Sequence, residues 1–173
     1  ALQILRDQIN APVYPTHRLD RKTSGVLLFA LNKEADKAMQ SMFANRLTTK
    51  KYWAIVRGFT PESLTIDYAL TNEQRGVQEA ITHFKTLAHS EIDLPSGKHA
   101  TSRYSLVEAN AEIGRMHQVR KHFAHIIHTI LGDRPHGCNK QNKLWLETHQ
   151  MNTMMLHAAA LGFKHPFTNE EIV

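Results

Sequence analysis

Apolar residues recur with a helical period in three segments of the chain. Residues 1–10 are predicted to form a helical piece of a domain. In residues 33–47 apolar side chains recur three and four positions apart, with Asn32 as the N-cap and Arg46 in the last turn. Residues 115–127 repeat this pattern. The predicted inward-facing stripe of this last helix is Met116, Val119, Phe123, Ile126 and Ile127.

Strands are predicted where β-forming residues lie between turn sequences. GVLLFAL, residues 25–31, is predicted to be a buried strand because it is apolar throughout and too short for a lone helix. The polar stretch that ends at Lys143 is predicted to be a loop. The other predicted strands are residues 50–58, 63–70, 79–88, 102–109 and 154–166. This order favours an α+β fold, with a mixed, largely antiparallel sheet and inserted helices.

The pattern contains no linker and no internal repeat, so residues 1–173 are expected to form a single domain. The chain begins with Ala rather than Met, and we expect some native N-terminal residues to be missing. No apolar run reaches the length of about 18 residues that a membrane helix needs, so no membrane partner is expected.

Charge and cysteine content narrow the classes of function. The chain has 21 Lys and Arg against 16 Asp and Glu, a formal charge of +5, which favours a polyanionic partner such as RNA. Its one cysteine, Cys138, excludes an intrachain disulfide and a cysteine-rich zinc site. A reducing, cytoplasmic location is therefore expected.

Asp20 lies among cations at the entrance of the predicted strand at residues 25–31. Its neighbours Arg18, Arg21 and Lys22 favour the ionised form of the carboxylate. One interpretation is a surface ion pair, which contributes little. The other is a functional group held at the rim of the sheet by a rigid element.

Two further residues stand out by their position in a predicted element. Arg120 falls at the edge of the apolar stripe of its helix, where a half-buried arginine needs a carboxylate partner. Asp20 is one such partner, and any other acid would also serve. Tyr52 alternates in phase with Ala54 and Val56, so it is either an ordinary core tyrosine or, beside basic residues, a platform for a base.

Other residues of the third helix are expected to be ordinary. Gln118, Lys121 and His125 are predicted to point away from the apolar stripe. The histidines in this region have neither an H-E-x-x-H pattern nor an i,i+4 pair, which disfavours a metal site. These histidines are His117, His122, His125 and His128.

Four segments of the chain carry specific sequence patterns. They are HRLDRKTSGVLLFAL (17–31), KKYWAIVRG (50–58), GRMHQVRKHFAHIIHTILGD (114–133) and MLHAAALGFKHPFTNE (155–170). Together they resemble the RluA family of pseudouridine synthases, since the first contains its catalytic pattern H-R-L-D-x-x-T-S-G and the third contains its pattern G-R-x-H-Q-[LIV]-R. Two departures are the absence of an upstream K-P-x-G segment and Thr129 in place of a proline after His128.

The resemblance implies the catalytic-domain fold of that family and the isomerisation of a uridine in RNA, without cofactor or metal. It implies that Asp20 acts on the sugar, as nucleophile or as base, and that Arg120 pairs with it. Tyr52 would lie against the uracil and could assist removal of the C5 proton. The implied substrate-binding residues are Arg18, which enters the RNA as the target nucleotide leaves the stack, Arg21 and Leu156.

Within the family, the segments LRDQI, EAITHFKTLA and GDRPHGCNKQNK favour transfer RNA as the substrate, at the uridine of position 65. A monomer is expected. Alternatives are the same reaction on ribosomal RNA, a non-catalytic RNA-binding module and a hydrolase. The last would need a second carboxylate, for which Glu34 and Asp36 at a helix start are poor candidates.

Overall fold

A seven-stranded sheet forms the centre of the fold in a computed structural model that describes residues 1–173. The helices are α1 (Leu2–Ile9), α2 (Lys33–Ala44), α3 (Gln118–His125) and α4 (Asn139–His149). The strands are β1 (Tyr14–Pro15), β2 (Ser24–Gly25), β3 (Phe29–Ala30), β4 (Thr48–Arg57), β5 (Ser63–Asp67), β6 (Leu70–Thr71), β7 (Val77–Gln78), β8 (Ile81–Ile92), β9 (Ser102–Ala111), β10 (Leu156–Lys164) and β11 (Glu171–Ile172).

The sheet runs in the order β11-β10-β4-β9-β8-β5, with every neighbouring pair antiparallel. Strand β2 joins its β10 side in parallel, through Ser24 beside His157. Strands β1 with β3, and β6 with β7, form two small separate ladders. The predicted α+β class with a mixed, largely antiparallel sheet is therefore confirmed.

One face of the central strands packs against α3 and forms the core. Val56 on β4, Val107 on β9 and Phe123 on α3 are each fully buried in this cluster. The ring of Phe123 lies 5.0 Å from that of Phe84 on β8. The alternation along β4 that the sequence predicted thus places Ala54 and Val56 in the core.

Two members of the predicted apolar stripe are not buried. Met116 is 46% exposed and Ile127 is 82% exposed. The reason is that α3 begins at Gln118 and ends at His125, so both residues lie outside the helix and do not share its face. The prediction was wrong there because the apolar spacing continued past the residues that have helical geometry.

The predicted strand at residues 25–31 is also wrong. It divides into β2 and β3, which pair with different partners, and Val26 and Leu31 are exposed. Gly25 adopts φ +113° against the backbone of Ala158, where an added Cβ would collide with the carbonyl oxygen. The chain turns away from β10 at this close approach.

The start of helix α2 was predicted correctly and its end was not. Asn32 caps α2 as expected, and its side chain accepts the Ala35 N–H at 2.8 Å. The helix ends at Ala44, before Arg46, which has φ +60°. Leu47 is 62% exposed, so the predicted end at residue 47 was three residues too late.

Helix α4 occupies part of the stretch that was predicted to be a loop. Its sequence, NKQNKLWLETH, has no clear apolar stripe. A polar contact holds it instead: buried Gln141 accepts a hydrogen bond from the Tyr104 hydroxyl at 2.7 Å, and Trp145 Nε1 donates to the same hydroxyl at 2.6 Å. No helix of the structure is long and apolar enough to cross a membrane.

The end of α3 provides a test of backbone strain. Ile127 has φ +65° in a Schellman turn, in which His128 N–H donates to Phe123 C=O and Ile127 N–H to Ala124 C=O. A β-branched residue is strained in this conformation, by about 1–2 kcal/mol. We expect Ile127→Gly to raise the free energy of unfolding by about 1 kcal/mol in urea titrations. Ile127→Val should leave it unchanged, and a destabilised glycine variant would contradict the assignment of strain.

Candidate active site

Asp20 stands at the mouth of a cavity of about 270 Å³ between the loop after β1, strand β4 and the start of α3. Its side chain is 24% exposed, so it can reach both solvent and a bound molecule. Five of the six residues named from the sequence line this cavity, namely Arg18, Asp20, Tyr52, Arg120 and Leu156. Arg21 is exposed and does not line it, so its contact with substrate stays a prediction.

Arg120 is the centre of the charge arrangement. Helix α3 holds its side chain at 7% exposure, and Nη1 donates to Asp20 Oδ2 at 2.9 Å. The other edge of the guanidinium donates to both carboxylate oxygens of Asp133, at 2.7 and 2.8 Å. This is a bidentate pair, the strongest geometry available to arginine. The pairing of Arg120 with Asp20 was one of the alternatives that the sequence left open.

Asp133 was not singled out from the sequence, where it appears only within the quoted segment 114–133. Its side chain is 1% exposed, and the His136 N–H also donates to it, at 3.2 Å. The turn is tight because Gly132 has φ +81° and packs against the backbone of Thr153. The position of Arg120 at the edge of the apolar stripe could have indicated Asp133. A buried charged side chain is almost always paired, and the partly exposed Asp20 alone does not cover this arginine.

The contact between Arg120 and Asp133 shifts the pKa values of both side chains. Burial alone would raise the pKa of Asp133, but the hydrogen bonds and charge of Arg120 hold it below the ordinary value. Burial alone would lower the pKa of Arg120, and the two carboxylates raise it instead. Arg120 is thus held by a bidentate pair with Asp133 and orients Asp20 through a single hydrogen bond.

His117 approaches Asp20 from the other side. Its Nε2 lies 3.8 Å from Asp20 Oδ1, and its Nδ1 lies 2.9 Å from Nε2 of His136. Burial lowers the pKa of both histidines, so both are neutral at pH 7. The sequence reasoning weighed His117 only as a metal ligand. No group of three or more His, Cys, Asp or Glu side chains has an arrangement that could hold a metal ion.

Tyr52 and Leu156 form the apolar part of the cavity. Tyr52 packs against the core cluster, and Leu156 on β10 is 4% exposed. Burial raises the pKa of the Tyr52 phenol, and the negative charge of Asp20 raises it further. The phenol is therefore protonated at neutral pH, and it offers a ring face and an O–H group.

Gln118 supports the wall of the cavity, contrary to the prediction that it points away. It is 3% exposed, and its Oε1 accepts the N–H groups of Gly114 and Arg115 at 3.1 and 2.9 Å. Its Nε2 donates to Ile81 C=O at 2.8 Å, which ties this turn to β8. The prediction failed because Gln118 is the first residue of the helix, where its side chain serves the preceding turn.

The chain is similar to a family profile, to named relatives in sequence and to solved structures. The sequence profile described as RNA pseudouridylate synthase matches residues 1–125. The chain belongs to this family. The predicted family and enzyme class, an RNA pseudouridine synthase, are therefore confirmed.

Similar relatives include tRNA pseudouridine synthase C of Vibrio parahaemolyticus, which is 45% identical over 99% of this chain and 74% of its own length. The proteins of the same name from Haemophilus ducreyi and Salmonella typhimurium are 44% and 39% identical, with 75% and 70% of their lengths covered. The resemblance to family members that was read from short motifs thus extends along nearly the whole chain.

Two solved human structures have the same fold. RNA Pseudouridylate Synthase Domain Containing 1 matches 97% of this chain and 70% of its own, with a TM-score of 0.79 and 26% identity. RNA Pseudouridylate Synthase Domain Containing 4 matches 99% and 73%, with a TM-score of 0.75 and 24% identity. These likenesses confirm the predicted pseudouridine synthase fold.

The buried partner of Arg120 can be tested by its pH dependence. We expect Asp133→Asn to lower the free energy of unfolding at pH 7 by about 3–5 kcal/mol, because a buried guanidinium loses its main counter-charge. Since folding lowers the pKa of Asp133, its stabilisation is present above about pH 4 and is lost as the pH falls through the lowered pKa. The difference between the variant and the unmutated protein should therefore shrink below pH 4.

Urea titrations from pH 7 to pH 3 measure this difference. The control is Asp7→Asn, which removes an exposed ion pair with Arg6 and should change little at any pH. A loss in Asp133→Asn that does not depend on pH would show that shape rather than charge is what Asp133 contributes.

Proposed function

We propose that this chain converts a uridine of transfer RNA, at position 65, to pseudouridine, with Asp20 as the catalytic group. The observation that carries the proposal is the hydrogen bond from buried Arg120 to Asp20 in the lining of a cavity. Nearly full-length identity of 39–45% to proteins named tRNA pseudouridine synthase C supports transfer RNA as the substrate class.

The reaction breaks the C1′–N1 bond of the uridine, with its electron pair leaving on the uracil, then turns the uracil and joins C5 to C1′. C5 loses its proton and N1 takes one up, so the product is an isomer of the substrate. Positive charge develops on the sugar as the first bond breaks, and an adjacent carboxylate stabilises it. Asp20 supplies that carboxylate, either as nucleophile at C1′ or as base at the sugar. Arg120 keeps it oriented, and Asp133 keeps Arg120 charged and in place.

The uracil contacts Tyr52 and Leu156 in this proposal. The raised pKa of Tyr52 favours a role as a ring that packs against the base, over a role as the group that removes the C5 proton. Leu156 closes the same side of the cavity. Both residues come from neighbouring strands, with Leu156 paired to Ala54, so the contact surface is rigid.

Arg18 and Arg21 act on the RNA. Arg18 lies on the loop that carries Asp20, is exposed and lines the cavity. In this proposal it fills the gap that an extruded nucleotide leaves, which offsets part of the few kcal/mol that extrusion costs. Arg21 is exposed beside it and is assigned to a backbone phosphate.

We also propose that residues 1–173 act as one catalytic domain, as a monomer in the cytoplasm and without a cofactor. The single cysteine and the RNA substrate support the location. The chemistry assigned to Asp20, Arg120 and Tyr52 needs no other group, which supports the absence of a cofactor.

Tritium release from tRNA labelled with [5-³H]uridine tests the reaction. We expect Asp20→Asn to lower the rate by at least about a thousandfold, because a neutral amide cannot stabilise the developing positive charge. Glu34→Gln is the control, since it neutralises an exposed carboxylate on α2 that only a hydrolase mechanism would need. Its rate should be unchanged.

The other outcomes are distinct. Release from ribosomal RNA but not from tRNA would show that the substrate is wrong and the reaction right. Binding of RNA without release from either would indicate a non-catalytic module. If the unmutated protein releases free uracil from the RNA and Glu34→Gln does not, the enzyme is a hydrolase.

A substitution at Tyr52 separates its two possible roles. We expect Tyr52→Phe to retain the tritium release rate within about tenfold, because the ring that packs against the base is kept, and Tyr52→Ala to lose it. If the phenol oxygen removed the C5 proton, Tyr52→Phe would be as inactive as Tyr52→Ala. Single-turnover rates measured at saturating tRNA make the comparison independent of binding.

A further inference from the structure

A second cavity, of about 400 Å³, lies outside the active site, at the end of β4 that is remote from Tyr52. It is enclosed by the ends of β4 and β9, the turn between β8 and β9, and α4. Its ten lining residues are Arg57, Gly58, Ser96, Lys98, His99, Ala100, Thr101, Ser102, Arg103 and Gln141. Three of these are cations and none is acidic, so the cavity favours an anion.

Two of the cations have no counter-charge. Neither Arg57 nor Lys98 has a carboxylate oxygen within 4.0 Å of its side-chain nitrogens. The one side-chain hydrogen bond of Arg57 runs from Nη1 to the thiol of Cys138, at 3.5 Å, and a thiol is a weak acceptor. A partly buried guanidinium normally pairs with a carboxylate or a phosphate, and Arg57 has no such partner within the protein. It can therefore accept one from a bound ligand.

The third cation, Arg103, is fixed at the rim. Its Nε forms an ion pair with Glu91 Oε1 at 3.2 Å, and its guanidinium lies over the ring of Phe59, 5.2 Å from the centroid. Glu91 does not line the cavity. The pair therefore positions Arg103 without placing a negative charge inside.

The floor of the cavity is rigid and polar. Gln141 is 3% exposed, and its Nε2 donates to Ser96 Oγ at 2.8 Å while its Oε1 accepts from Tyr104. Ser102 is also 3% exposed and donates to Leu94 C=O at 2.6 Å. These bonds join α4, β9 and the β8–β9 turn, so the cavity does not depend on a single mobile loop.

The position of the cavity indicates the size of its ligand. Arg57 lies five residues after Tyr52 on β4, which corresponds to about 17 Å along the strand, and the odd number places the two side chains on opposite faces. A free nucleotide in the active site cannot span this distance. A nucleic acid strand has a phosphate about every 3.4 Å of helix axis, and the RNA also has to pass from one face of the sheet to the other, so it can reach the cavity only at about five or more nucleotides from the target uridine.

We propose that the cavity of Arg57, Lys98 and Arg103 binds a backbone phosphate of the RNA substrate, remote from the target uridine. The proposal rests on the proposed function, because it takes RNA as the substrate. Its consequence is that the enzyme holds its substrate at two sites on one strand, and that a substrate too short to reach the second site lacks that contact.

Kinetics with two substrates test the proposal. The variant is Arg57→Gln with Lys98→Gln, and the substrates are full-length tRNA and a hairpin that carries the target uridine with about three base pairs, or about 10 Å of helix, on either side. We expect kcat/KM for full-length tRNA to fall about tenfold through KM, with kcat unchanged, and kcat/KM for the hairpin to stay the same. The slope of log KM against log salt should fall by about one for full-length tRNA only.

The control removes the same charge elsewhere. Lys33→Gln with Lys37→Gln neutralises two exposed lysines of α2 and should leave the ratio of the two substrates unchanged. If the cavity variant weakens both substrates equally, the effect is that of net charge and the proposal is wrong. Should the Arg57 substitution prevent folding, Lys98→Gln alone, in an exposed turn, carries the same comparison.

Direct titration distinguishes a small ligand from RNA. Inorganic phosphate and uridine monophosphate are titrated calorimetrically into the unmutated protein and the variant. Binding of either at micromolar concentration, lost in the variant while RNA kinetics are unchanged, would assign the cavity to a small phosphorylated ligand and overturn the proposal. If no tritium is released from any RNA, the proposed function fails, and filter binding of tRNA by the two proteins still decides whether the cavity contacts RNA.

Discussion

A buried arginine shared between two carboxylates is the interaction on which the rest of the active site depends. Arg120 on α3 meets Asp20 from the loop before β2 and Asp133 from the turn before α4. The loop of Asp20, 100 residues before Arg120, and the turn of Asp133, 13 residues after it, therefore have to converge on one guanidinium. A buried guanidinium left without its acids would be strongly destabilising, so the charge cluster selects the arrangement of these segments as well as the chemistry.

The two carboxylates are chemically alike and have different environments. Asp133 is sealed from solvent and paired through both oxygens, whereas Asp20 is partly exposed and paired through one. The first is the main counter-charge of the arginine, and the second has one oxygen free of the arginine and a surface open to the cavity. Preorganised charge of this kind needs no rearrangement at the moment of reaction, and the surrounding apolar wall of Tyr52 and Leu156 strengthens it.

The sheet relates the active site to the basic cavity at its far end. Strand β4 carries Tyr52 at its middle and Arg57 as its last residue, and β9 pairs with it over this whole stretch. In the proposed binding mode, this strand sets the spacing between two contacts on one RNA. The positive charge of the chain, +5, is thus partly concentrated where a long polyanion would meet it twice.

The sequence by itself determined the features that depend on local spacing. These were the helices around Met39 and Phe123, the alternation of β4, the cap at Asn32 and, through the resemblance of four motifs, the family and five of the fourteen residues that line the cavity. Tertiary structure decided the rest, because long-range partners outweigh local pattern. Pairing with β10 and then β1 divided residues 25–31 into two short strands. A hydrogen bond from Tyr104 holds the polar helix α4 against β9, and hydrogen bonds from Arg120 hold Asp133 in the turn before that helix. Neither contact produces a periodic pattern in the local sequence.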